Sequence, residues 1–121
     1  MTLSIAKSTS ADKVEVAPTG EIDVENAFMI KDAVQEVLAE GGARRIELDM
    51  RGVTFIDSVG ISGLVSAHQL AAVSGVRVIV TRPSRFAHRQ LWVTGLLGLF
   101  GNPDPAPDTP GPAQQPAVSG A

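Results

Sequence analysis

The apolar positions at the start of the chain fall in two short, β-compatible runs, Thr2–Ser8 and Val14–Pro18. The cluster Ser10-Ala-Asp-Lys13 between them is turn-forming, so the two runs predict a β-hairpin that ends at Pro18, with Gly20 following. The spacing then becomes helical. Ala27, Ile30, Val34, Val37 and Leu38 put one apolar face on a helix over Ala27–Glu40, with Asn26 placed to cap it and Gly41-Gly42 to stop it. Arg45–Asp49, apolar at Ile46 and Leu48 and bounded by glycine and charge, reads as a short central strand. An apolar stretch, Gly52–Asp57, leads into Ser58, and helical spacing resumes at Ile61, Leu64, Val65, His68, Ala71 and Ala72 until Gly75. Val76–Val80 is β-branched and predicts a strand buried on both faces. Ser84 is placed to cap a third helix carrying Phe86, Leu91 and Trp92, after which Leu96–Phe100 packs back as a short strand or turn.

The resulting order, β-β-α-β-α-β-α, has strands separated by single helices, which implies right-handed crossovers and parallel pairing. The expected fold class is α/β: a mixed, mostly parallel sheet of 4–5 strands with an antiparallel strand from the N-terminal hairpin and 3–4 helices. Its core is expected from Ile5, Val16, Ile22, Ile30, Val34, Val37, Ile46, Leu48, Phe55, Leu64, Val78, Val80 and Leu91. No internal repeat is visible.

Composition narrows this further. A chain of 121 residues, 44% apolar and 19% charged, holds one domain with enough apolar residues for a core. Six of the eight prolines lie between Pro103 and Pro116, so residues 1–101 are expected to form the domain and Asn102–Ala121 a disordered proline-rich tail. Pro107 to Pro110 formally makes a PxxP, but no basic residue flanks it to orient a groove-binding partner. The net charge of −3 disfavours direct nucleic-acid binding. Without cysteine there is no disulfide framework, thiolate metal site or cysteine nucleophile, which suits a cytoplasmic protein. The longest apolar stretch, Leu91–Phe100, is too short to insert across a bilayer, and MTLSIAKSTS lacks the pattern of a signal peptide. Charge is unevenly spread: Met1–Asp57 carries six basic and eleven acidic residues, a net of −5, whereas Ser58–Gly101 carries four arginines and no acid. Such polarity either makes opposite surfaces or reflects arginines flanking element ends.

Candidate chemistry concentrates at Asp57-Ser-Val-Gly60. A serine between an extended run and a helix is an N-cap, or a hydroxyl that can be modified where a helix N-terminus stabilises negative charge. Phosphorylation there adds about −1.5 to −2 charges beside Asp57. A hydrolase is disfavoured because Ile56 occupies the first glycine position of GxSxG, and the two histidines, His68 and His88, fall on separate helices. Two distant histidines give no metal-ligand spacing, and Gly60-x-x-Gly63 lacks the lysine and length of a phosphate-binding loop. No cofactor is implied.

Taken jointly, Gly20-Glu-Ile-Asp23, Ile46-Glu-Leu-Asp49 and Val53-Thr-Phe-Ile-Asp-Ser-Val-Gly60, with Pro83-Ser84 and Thr94-Gly95-Leu96 further on, resemble the STAS domain of bacterial anti-sigma factor antagonists over about Leu3 to Phe100. The resemblance implies a non-enzymatic interaction switch: the unmodified protein binds an anti-sigma factor that is also a serine kinase, of histidine-kinase-like ATPase fold, and so frees a sigma factor. Phosphorylation at the position matching Ser58 breaks the complex, and a metal-dependent serine phosphatase restores it. The partner surface implied comprises Gly20, Glu21, Asp23 and Asn26 in one loop and Asp57, Ser58, Gly60 and Ser62 in the other. Val59 stands where the family often has a second hydroxyl, so no adjacent phosphosite exists. The same domain also resembles subunits of stress-signalling assemblies and of lipid-transport ABC systems, in which Ser58 would be only a helix cap.

Overall fold

Strand β2 (Lys13–Ile22) is the axis of the sheet in the computed structural model, which describes residues 2–107. On one side β1 (Leu3–Ser10) pairs with it antiparallel, Leu3 opposite Gly20 and Ser10 opposite Lys13. On the other side lie two parallel partners in tandem: β3 (Arg45–Asp49) against Lys13–Val16 and β4 (Val53–Ile56) against Gly20–Ile22. β5 (Arg77–Thr81) extends the sheet beyond β3, in parallel register from Arg45↔Arg77 to Asp49↔Thr81. The α/β sheet with one antiparallel strand is thus the architecture expected, with Val53–Ile56 as a fifth strand.

The second strand does not stop at Pro18 as its proline suggests. Pro18 stays in the strand opposite Ile5, and it falls between Val16, the last residue paired to β3, and Gly20, the first paired to β4. Its missing N–H therefore lies at a gap in the parallel ladder and costs no bond there. Gly20 has φ +118°, and a Cβ on it would lie 2.2 Å from the Thr2 carbonyl oxygen, so the register shift between Gly20 and Glu21 requires glycine.

Val14, Val16, Ile46, Leu48, Val78 and Val80 are buried, while Lys13, Glu15, Arg45 and Glu47, which alternate with them, are not. Against the buried face pack α1 (Phe28–Glu40), through Ile30, Val34 and Val37, and α2 (Ser58–Val73), through Ile61, Leu64, Ala67 and Ala71. Each large aliphatic side chain so buried contributes about 1.5–3 kcal/mol. α3 (Arg85–Val93) packs on β4, and a 3-10 turn (Gly98–Phe100) closes the β5 side, with Phe100 buried edge-on to His68 at 5.6 Å. β5 is not buried on both faces: as an edge strand it has Arg77 exposed and Ile79 half-buried against Gly101. Of the expected core, Ile5 and Phe55 are only half-buried, one on the edge strand β1 and the other stacked on Phe86 at 5.5 Å.

The charge asymmetry is partly neutralised on the polar face. Arg82, at φ +46° just after β5, pairs with Glu15 at 3.6 Å and with the buried Asp49, which also accepts from the Arg51 N–H at 3.1 Å. Glu47 lies between Lys13 at 3.7 Å and Arg45 at 2.9 Å.

Packing continues past the expected domain boundary at Gly101. The Asn102 N–H donates to the Leu97 carbonyl at 2.8 Å, and buried Ala106 donates to the Pro83 carbonyl at 2.7 Å. Residues 108–121, the rest of the expected tail, lie outside the described residues. A chain cut after Gly101 is expected to be about 1–2 kcal/mol less stable than one cut after Pro107, because it loses these two bonds and the Ala106 contact. Urea denaturation of the two truncations reads the difference; equal midpoints would remove any role for residues 102–107.

Candidate functional site

The C-terminal ends of β2 and β4 bring two loops together. The Asp57 N–H donates to the Ile22 carbonyl at 3.2 Å, and the backbone of Gly63 in α2 packs against Ala27 at the entry to α1.

At the first loop Asp57 is the N-cap of α2. Its backbone is extended (φ −99°, ψ −174°), its Oδ1 accepts from the Gly60 N–H at 2.8 Å, and its carbonyl accepts from Ile61 at 2.9 Å. Ser58 is therefore the first helical residue and not the cap. Apolar spacing detects the helix only from Ile61, where its face turns inward; the first turn, Ser58-Val-Gly60, carries no such stripe. The Ser58 side chain is exposed, and its hydroxyl bonds to no other described residue. Asp57→Ala is expected to cost about 1 kcal/mol, while Ser58→Ala changes stability by less than about 0.5 kcal/mol. Thermal unfolding of the two variants tests this; the reverse order would make Ser58 the cap.

Gly60 is buried where α2 meets the strand ends. A Cβ there would lie 2.7 Å from Ile56 Cγ1 and 2.9 Å from both Ile22 Cγ2 and the Ile22 carbonyl oxygen.

The second loop, residues 21–27, is held from within. The Asp23 N–H donates to Asn26 Oδ1 at 2.9 Å, the Asn26 side-chain amide donates to the Glu21 carbonyl at 2.8 Å, and the Glu25 N–H donates to Asp23 Oδ1 at 2.9 Å. Asn26 is thus a clasp across the loop and not the cap of α1, whose N-cap is Ala27 without a side-chain bond. Asp23 and Asn26 are each only 6% exposed. Along with Gly20, Gly60 and the cap Asp57, they shape the site; the exposed members of the expected set are Ser58 and Ser62, with Glu21 half-buried.

Beside the exposed Glu25, Ser58 and Ser62, the loops and the helix starts display apolar groups. Val24 is 68% exposed, Phe28 61% and Val59 43%; Val24 lies on the second loop, Phe28 at the start of α1 and Val59 between Ser58 and Gly60. Sequence reasoning missed Val24 and Phe28. Phe28 was legible: at 100° per residue it lies about 200° from Ile30, a large apolar group on the polar side of an amphipathic helix. Val24, between Asp23 and Glu25, carries no such signal.

Ten residues separate Ser58 from His68 on α2, about 15 Å along the helix, and the His68 ring packs against Phe100. Among the described residues no group of three or more histidine or carboxylate side chains gathers to hold a metal, and no helix is long and apolar enough to cross a membrane.

A family model, the STAS domain, matches residues 4–109. Solved structures share the fold. An anti-sigma factor antagonist from Mycobacterium paratuberculosis is 22% identical over 88% of this chain and 89% of that one, with a TM-score of 0.75. A candidate anti-sigma factor antagonist from Thermotoga maritima is 27% identical over 76% of this chain and 79% of that one, with a TM-score of 0.67. The anti-sigma factor antagonist SpoIIAA in its unphosphorylated form is 18% identical over 87% of this chain and 90% of that one, at TM-score 0.69; SpoIIAA of Bacillus has also been solved in a phosphorylated form, at TM-score 0.64.

Proposed function

Because the chain belongs to the STAS domain family, we propose that it is an anti-sigma factor antagonist, a cytoplasmic interaction switch controlled at Ser58. The observation that carries this reading is an exposed hydroxyl on the first residue of α2, beside Asp57 and bonded to no other described residue, on a pair of loops and helix starts that also expose Val24, Phe28 and Val59. Apolar groups exposed with such a hydroxyl make a patch suited to a protein partner, here an anti-sigma factor that is also a serine kinase.

In the unmodified state the patch docks on that partner, which releases its sigma factor. For phosphorylation, the Ser58 oxygen attacks the γ-phosphorus of kinase-bound ATP. A new O–P bond forms, the bond to ADP breaks, and the serine proton passes to a base of the kinase. The product carries about −1.5 to −2 charges next to Asp57. The α2 N-terminus stabilises that charge, so the domain stays folded while like charges and desolvation expel the partner. A metal-dependent serine phosphatase resets the switch. The existence of SpoIIAA in both forms supports a switch of this kind in a protein of the same fold.

The exposed Phe28 supplies a test that leaves Ser58 untouched. Phe28→Asp, on an exposed helix position, is expected to weaken binding to the kinase-type anti-sigma factor of the same cell at least about tenfold, with an unchanged melting curve. Wild-type affinity for Phe28→Asp by calorimetry would take α1 out of the partner surface. Asp23→Ala is expected to lower affinity and stability together, since Asp23 holds the loop from inside.

A further inference from the structure

α3 presents a second exposed surface. At 100° per residue, Trp92, Arg89 and Val93 fall within one arc of about 100°, opposite the buried Ala87 and Leu91. Trp92 is 64% exposed, Val93 55% and Phe86 37%. No acidic residue lies anywhere between Ser58 and Gly101, so α3 itself contributes no negative charge to this face. Exposed tryptophan beside arginine is the composition of an interface centre, not of ordinary solvated surface.

The complementary feature lies elsewhere in the same molecule. Between β1 and α1 runs a groove of about 320 Å³ with Ile5, Met29 and Ala33 as apolar lining and Asp32 and Glu36 at its rim. Lys7, in its lining, is engaged with Glu36 at 3.7 Å and Glu40 at 3.5 Å. Asp32 has no ion-pair partner among the described residues. Among the described residues the lining comes from β1 and α1, and none of it from α2.

We propose that the outer face of α3 docks into the β1–α1 groove of a second copy of this chain, Trp92 over the apolar lining and Arg89 at the Asp32 rim. Both halves of the contact are on one molecule, and they match in charge and in apolar character. A membrane fits less well: two arginines on a helix of nine residues fall short of the basic cluster that anionic lipid recruits. Because the two patches differ, the contact is head-to-tail and adds copies in a row unless the row closes into a ring. So small a patch makes the association weak and salt-sensitive.

Trp92 is the only tryptophan in the chain, so its emission reports the contact. On concentrating the full chain at low salt, the emission is expected to shift to the blue while the average mass in sedimentation equilibrium rises. Arg89→Glu and Asp32→Arg, both at exposed positions, should each weaken association at least about tenfold. Mixed in equal amounts, they should associate again into alternating rows, because every contact between unlike variants pairs either the two reversed charges or the two native ones. Ser58→Asp should leave the association unchanged, which separates this contact from the switch. A chain that stays monomeric at every concentration would overturn the proposal. So would variants that associate as the wild type does, a mixture that stays monomeric, or a blue shift seen only with phosphatidylserine vesicles.

Discussion

Gly60→Ala is expected to lower the stability of the domain by about 2–3 kcal/mol, near the upper end for one added methyl group. The methyl would lie within 3 Å of two isoleucine side chains and of the Ile22 carbonyl oxygen. The side chains belong to the packed core, and the oxygen is a backbone atom already bound to the Asp57 N–H, so neither yields without moving β2 or β4. Relief by shifting α2 outward would break the Asp57 cap and the contact of Gly63 with Ala27. Gly98→Ala is the control: its Cβ would meet nothing closer than 4.0 Å, and it should change stability by less than about 0.5 kcal/mol. Urea denaturation midpoints at unchanged slope give the comparison. Equal midpoints for the two variants would mean that the approach of α2 to the strand ends is looser than these distances.

Ser58→Asp and Ser58→Ala are expected to part company in binding while agreeing in stability. With the cap function residing in Asp57, neither substitution removes a bond that holds the fold. Aspartate in the first turn gains slightly from the helix dipole, so both variants should unfold within about 0.5 kcal/mol of the wild type. Binding is different. Ser58→Ala adds no charge and should hold the anti-sigma factor as the wild type does. Ser58→Asp places a carboxylate beside Asp57 on a surface that loses water on docking, and like charges in such a place cost several kcal/mol. The affinity should fall about 100-fold, the equivalent of roughly 2.7 kcal/mol. A phosphate, with more charge and more acceptor oxygens, should do more.

The elements of this fold were legible because most of them obey one period. Val34 and Val37 mark α1, Ile46 and Leu48 mark β3, and each is buried where its spacing puts it. The failures occur where a local signal is overridden by a partner distant in sequence. Pro18 reads as a strand end, yet it is accommodated because β3 and β4 meet β2 on either side of it. Val76–Val80 reads as doubly buried, but burial on the second face depends on what the chain after α3 happens to cover. At the site, Asp57-Ser58 offers two adjacent capping oxygens, and only backbone geometry decides between them. Asn26 has the right identity and position for a cap but turns back to the Glu21 carbonyl, a bond no helix-start rule contains. The roles of Gly20 and Gly60 could not be read locally either, since the atoms that crowd them belong to Thr2, Ile22 and Ile56. The resemblance to the STAS domain pointed to the Asp57-Ser58 turn. The structure divides its residues into those that build the turn and those that the turn displays.

The central claim is that Ser58 is the phosphoacceptor and that its modification releases the partner. The most direct measurement incubates the full chain with the kinase-type anti-sigma factor and ATP, locates phosphate by mass spectrometry, and compares the affinity of the phosphorylated and unmodified forms. The account predicts a single phosphate on Ser58, none on Ser58→Ala, and an affinity lowered at least about 100-fold by the modification. Phosphate on another residue, or equal affinity of the two forms, would contradict it.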